Sequence, residues 1–231
     1  LRIGLEMAYN NILIFLSGTL LIATFILVIK REFSGWIQAY KYQTIILSLI
    51  TGAIGYITNN WEIYLAAIIT FSLKAVIVPR LLTKVTEKIS YDFKNETKPY
   101  ISIRMSLVAS TIFVALSYFL TQQIQLGEDV IANSFVPVSI SLLLIGLLVM
   151  IGRKIALNQI VGLLILENGL FLFVLSLTHG ISLIIEIGIF IDILVGIVIS
   201  SILIHRIGYT FDSMNDIDQK RENLEYAEED D

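Results

Sequence analysis

Near-continuous apolar stretches fill most of the chain, at 10–29, 42–59, 62–83, 101–121, 132–152, 157–178 and 181–205. Short polar connections such as Thr58-Asn59-Asn60 and Thr178-His179-Gly180 separate them. Each stretch is long enough to cross about 30 Å of hydrocarbon at a rise of about 1.5 Å per residue. The runs are continuous where a barrel strand would alternate, so they predict helices. The first has no basic flank before it and no small-residue cleavage site after it, so it is expected to remain as a span.

Charge placement bears on the same count. Lys30, Arg31 and Lys41 fall after the first stretch, and Arg80, Lys84, Lys88, Lys94, Lys98 and Arg104 between the third and fourth. Arg153 and Lys154 follow the fifth, and Arg206, Lys220 and Arg221 follow the seventh. These all belong to one side of a seven-helix chain, leaving only Arg2 on the other. By the positive-inside rule the amino terminus is outside and the carboxyl terminus cytoplasmic. The expected fold is therefore all-α and polytopic, with seven transmembrane helices in the plasma membrane. EFSGWIQAY, between Lys30 and Lys41, is expected to lie at the membrane surface, with Phe33, Trp36 and Tyr40 as anchors. The loop near 83–100 reads as a solvated connection, and 210–231 as an acidic tail. Pro79 is expected to kink or end the third helix.

Composition agrees and narrows the chemistry. Of 231 residues 56% are hydrophobic and 16% charged, where a soluble domain carries about a quarter charged; mean hydropathy is +0.80. The absence of cysteine excludes disulfides, iron–sulfur clusters and thiolate metal sites in this chain. The two histidines, His179 and His205, are too few and too far apart in sequence to hold a haem or zinc. The chain is thus expected to hold no cofactor or metal and not to be a redox catalyst by itself. Lys74 falls in the third helix, whereas a retinal pigment carries its Schiff-base lysine in the last. Nothing in the pattern suggests nucleic-acid binding.

Candidate chemistry lies in charges inside apolar runs: Lys74, Glu167, Glu186 and Asp192. A charge at the centre of a membrane helix costs about 2.5–3.5 kcal/mol on insertion scales, so such residues usually have a partner or a task. Lys74, Glu167 and Asp192 each stand about ten to twelve residues into their helices, near the midplane. Glu186 precedes Asp192 by about 9 Å along the axis and about 120° around it, in the outer half. The short turn between the last two helices makes them antiparallel neighbours. Glu167 and Asp192 are thereby expected in one neighbourhood, with Asn168 adjacent. Carboxyl groups in low dielectric can exchange protons near neutral pH, as a proton path requires. The bland alternative is that these charges pair and lock helices together. Thr51, Ser48 and Ser72 are supporting polar positions, and Gly52, Gly55, Gly162, Gly169, Gly188 and Gly196 read as close-packing positions.

The chain also reads as a parallel repeat of spans one to three and five to seven. QTIILSLITGAI from Gln43 lies over QIVGLLILENGL from Gln159, setting Thr51 over Glu167. FSLKAVIV from Phe71 lies near FIDILVGI, setting Lys74 at the level of Asp192. Such repeats in transporters place charges at matched depths.

The last three spans resemble the small K-type subunit of respiratory complex I and the C subunit of multisubunit sodium/proton antiporters. The resemblance rests on GLLILENGLFLF, with Glu167 at the acidic position, and on FIDILVGIVISSILIHR, where Asp192 stands in place of a glutamate. Over its whole length, through NQIVGLLILENGLFLF and the seven-span count, the chain resembles the hydrogenase-4 component E family of group 4 membrane-bound hydrogenases. The resemblance implies an N-terminal four-helix part (1–121), a K-like three-helix unit (132–209) and the tail (210–231). It also implies a subunit between antiporter-like subunits, a membrane-anchor subunit and a soluble redox module, whose nickel–iron or iron–sulfur centres would lie in those partners. Glu167 and Asp192 would then belong to a lateral hydrophilic axis for protons or sodium. A free-standing ion transporter and a purely structural assembly subunit are the competing expectations.

Overall fold

The computed structural model describes residues 2–87, 99–124, 127, 129–154 and 156–178, and these are all-helical. Helix α1 is Arg2–Ile29, α2 is Phe33–Thr58 and α3 is Trp61–Ile69; a π-helical segment, Thr70–Ile77, joins α3 to α4, Val78–Glu87. Helices α5 (Ile103–Gln123), α6 (Val130–Gly152) and α7 (Ala156–Thr178) follow.

Local chemistry sets the boundaries. The polar pair between α2 and α3 divides two tasks. Asn59 adopts a left-handed conformation at φ 50° and closes α2, while the Asn60 side chain accepts from the Glu62 N–H and opens α3. Asparagine tolerates that backbone region better than most residues, and it is a favoured N-cap. Asp129 caps α6 by accepting from the Ile131 and Ala132 N–H groups at 3.0 and 3.1 Å. Ser102 does the same for α5, accepting from Met105.

Two expectations are corrected. Of the two outcomes expected at Pro79, a kink or an end, the end is overturned: the helix runs through it to Glu87. Proline has no N–H and crowds the carbonyl four residues before it. Here it falls in the first turn of α4, directly after a segment already wound in the wider i→i+5 pattern, as in the Val78 N–H to Leu73 carbonyl bond. Secondly, EFSGWIQAY is not a surface anchor. It forms the first turns of α2, with Phe33, Trp36 and Tyr40 all buried in the core. The Trp36 indole donates to the Lys30 carbonyl and its ring lies under the Arg153 guanidinium, 4.7 Å from the ring centroid. Indole polarity is therefore satisfied inside the protein.

Five described segments are long and apolar enough to cross a membrane: Asn11–Ile29, Trp61–Lys84, Ile103–Gln123, Val130–Gly152 and Asn158–Thr178. Helix α2 has the length, 26 residues, but carries Lys41, Gln43 and Thr44 in its run and falls outside that group. The seventh expected span, 181–205, lies outside the described residues. The chain is a multi-pass membrane protein. Its outward positions are also apolar, among them Phe15 at 72% exposure, Met105, Ile112 and Phe119, as hydrocarbon requires.

Helices α6 and α7 form the most intimate pair, with α5 on the far side of α6. Helix α1 packs on α6 and on α2, and α2 packs on α7 and on the α3–π–α4 rod. Glycines allow the α6–α7 approach: a Cβ on Gly146 would lie 2.5 Å from Leu166 N, and one on Gly162 2.5 Å from Met150 N. At Gly169 the nearest backbone atom, Leu143 N, would be 2.8 Å away. Gly162 and Gly169 are close-packing positions, as the sequence suggested, and Gly146 is their counterpart on α6. Gly52 is not: a Cβ there would meet only Ala67 Cβ at 4.0 Å.

Candidate functional site: a buried ion pair

The rod carrying Lys74 and helix α7 both face α2, and this brings Lys74 and Glu167 together. Lys74 Nζ lies 2.9 Å from Glu167 Oε1, with the side chains 2% and 5% exposed. The contact is an ion pair and not a well-aligned hydrogen bond. The ammonium also sits over the Phe171 ring, 4.9 Å from its centroid, one turn along α7 from Glu167. Lys74 belongs to the middle of the π segment. A π turn inserts one extra residue per hydrogen-bonded ring and so rotates the side chains that follow it. That winding sets which residue of this rod faces α7.

Glu167 and Asn168 are adjacent but serve different neighbours. Asn168 Nδ2 donates to Thr44 Oγ1 at 3.1 Å and more weakly to Gln43 Oε1 at 3.5 Å. Gln43 Nε2 donates to Thr24 Oγ1 at 2.7 Å, and Thr24 donates to the Leu20 carbonyl at 2.9 Å. All four residues are fully buried. This string ties α7 to α2 and α2 to α1 with neutral polar groups, which hydrocarbon surroundings hold to their partners. Tyr40, also fully buried, lies within electrostatic reach of Glu167 and has the Thr44 side chain beside it.

The other expected positions distribute as follows. Thr51 is buried and donates to the Leu47 carbonyl at 2.9 Å, within its own helix. Ser48 donates to the Ala67 carbonyl at 2.9 Å, tying α2 to α3. Ser72 is exposed on the outer face of the π segment. Glu186, Asp192, His179 and His205 lie outside the described residues, so the expected Glu167–Asp192 neighbourhood does too. Among the described residues there is no group of three or more His, Asp or Glu side chains suited to a metal ion.

The sequence marks Lys74, Glu167 and Asn168 one by one and offers pairing among the charges as the alternative, without saying which two meet; Tyr40, Gln43, Thr44 and Thr24 are not marked as part of the site. A signal existed: Gln43-Thr44 is a polar dipeptide in an otherwise apolar run. Chemically, the pair has two neutral-overall states. Either both groups are charged, or one Nζ–H proton has moved to the carboxylate, leaving an amine and a carboxylic acid. Both keep net charge out of the apolar interior.

Comparison with known proteins bears on what such a bundle serves. No family model matches the chain, and no solved structure does. It is 26% identical over 208 residues to an uncharacterized protein of Mycobacterium tuberculosis, Rv0085, covering 90% of this chain and 94% of that one. It is 21% identical over 210 residues to hydrogenase-4 component E of Escherichia coli K12, covering 91% and 94%. The protein of that name from Shigella flexneri gives the same figures. The similarity is distant but spans nearly the full length on both sides, so it concerns the whole bundle and not one motif.

Proposed function

We propose that this chain is a membrane subunit of a hydrogenase-type, energy-converting redox complex, and that its buried charges take part in proton or sodium translocation coupled to electron transfer elsewhere. The observation that carries this reading is the Lys74–Glu167 pair, isolated from solvent between a π segment and α7. A charge pair is weak evidence for stability, because well-packed apolar residues often hold helices as well or better. Full-length similarity to hydrogenase-4 component E supplies the context.

In this reading the chain holds no redox centre. It lies in the plasma membrane with its amino terminus outside, between antiporter-like subunits, a membrane anchor and a soluble redox module carrying the nickel–iron or iron–sulfur centres. Glu186 and Asp192 continue the ion path begun by Lys74 and Glu167.

The test is Glu167→Gln in the native membrane, with assembly, electron transfer and ion movement followed together. The expected outcome is an assembled complex that transfers electrons but has lost ion movement. Unchanged ion movement in an assembled complex would leave the pair as a helix lock and the chain as a structural subunit. Recovery of the tagged chain alone and monodisperse from mild detergent would instead favour a free-standing transporter.

A further inference from the structure

Pro79 is the only proline of the rod that runs from Trp61 to Glu87, and it stands where the winding changes. Early in the rod the ladder is α-helical: the Thr70 N–H donates to the Ala66 carbonyl, four residues back, and shares that of Ala67. By Val78 it is wide, with the N–H donating to the Leu73 carbonyl, five residues back. Residue 79 would be the next donor but has no N–H, so the wide run stops there and α winding resumes. Lys74 lies midway between Thr70 and Val78.

The proline ring supplies a reason for the wide run. In an α-helix a ring at 79 would crowd the carbonyl four residues before it, that of Ala75, a buried residue in the middle of a packed rod. The missing N–H loses one bond in either pattern, but the wider winding moves the Ala75 carbonyl out from under the ring. Helix α6 shows the other solution. Pro137 is also buried inside a helix, yet α6 stays α-wound. There the crowded carbonyl belongs to Asn133, an exposed residue in the first turn, where no earlier turn resists its displacement.

One extra residue in a helix corresponds to about 100° of rotation. An α-wound rod would therefore present a neighbour of Lys74 to α7. The ammonium would lose its place 2.9 Å from Glu167 and above the Phe171 ring. We infer that Pro79 is a positioning residue for Lys74: its ring imposes the wide winding before it, and that winding turns the lysine onto Glu167. That the placement serves ion movement rests on the function proposed above.

The chain contains no cysteine, so an introduced pair can be cross-linked cleanly in the full chain in its native assembly. Glu167→Cys is combined in turn with Leu73→Cys, Lys74→Cys and Ala75→Cys, and each pair is treated with a short bifunctional thiol reagent. With Pro79 in place, position 74 is expected to link most. With Pro79→Ala, the strongest link is expected to move to 73 or 75, while Pro137→Ala leaves it at 74. A link that stays at 74 in Pro79→Ala overturns the inference, and so does one that moves equally in Pro137→Ala. A Pro79→Ala chain that fails to assemble overturns it too, because the proline would then be needed for the fold as a whole. With its native Lys74 and Glu167, the Pro79→Ala complex is expected to assemble and lose most of its ion movement. If the link moves while ion movement persists, Pro79 positions Lys74 as inferred and the ion-handling reading is what fails.

Discussion

Substituting Gly162 by alanine probes the feature on which the whole site depends. The added Cβ would stand 2.5 Å from Met150 N and 2.9 Å from both Met150 Cα and the Gly146 carbonyl, where ordinary contact begins at 3.4 Å. All three are backbone atoms of α6, so no rotamer change relieves the overlap. The helices must part by about 1 Å, and a gap of that size forfeits about a quarter to a half of each dispersion contact along the seam. Overpacking of this kind costs about 1–3 kcal/mol. Alanine's better helix propensity returns roughly 0.5–1 kcal/mol. The expected net loss is therefore about 1–2 kcal/mol, read as a lower unfolding midpoint in one detergent by circular dichroism. Gly52→Ala is the internal control, because its Cβ would meet only Ala67 Cβ at 4.0 Å. It should be neutral or stabilising by up to about 1 kcal/mol. A parted seam would also displace α7 from its packed position, and the 3.1 Å Asn168–Thr44 bond to α2 has little slack. Gly162→Ala should thus impair ion movement as well as stability. Equal midpoints for the two variants would refute the seam argument.

Two further outcomes follow from the same packing. Lys74→Met alone should destabilise by about 3–5 kcal/mol because it leaves Glu167 buried and unpaired, while Lys74→Met with Glu167→Gln should recover most of the loss. Strictly additive single effects in that double-mutant cycle would mean the two residues do not interact. Arg153→Ala removes the guanidinium over Trp36 and its bond to the Val28 carbonyl. It should cost about 2 kcal/mol and alter Trp36 fluorescence in a Trp61→Phe background; an unchanged Trp36 spectrum would contradict the stacking.

What the sequence by itself determined is whatever one helix decides alone. Apolar runs long enough for a bilayer fix the rods, and the Asn59-Asn60 pair and Asp129 mark where rods stop and start, because capping is local chemistry. Lys74 and Glu167 stand out for the same reason: hydrocarbon penalises a charge whatever the fold. Tertiary structure decided who meets whom. Apolar residues on most sides leave no amphipathic stripe to orient a membrane helix, so Gln43-Thr44 marks a polar position on α2 without saying which helices it meets, and Tyr40 reads as an interface aromatic. EFSGWIQAY carries the aromatic and polar mixture of an interface, yet Arg153, far along the chain, stacks on Trp36 and draws the segment into the core. Lys74 faces Glu167 through the wider winding of Thr70–Ile77 and the glycine-close seam that sets α7. Those are properties of how helices wind and press together, to which no single run of residues is sensitive.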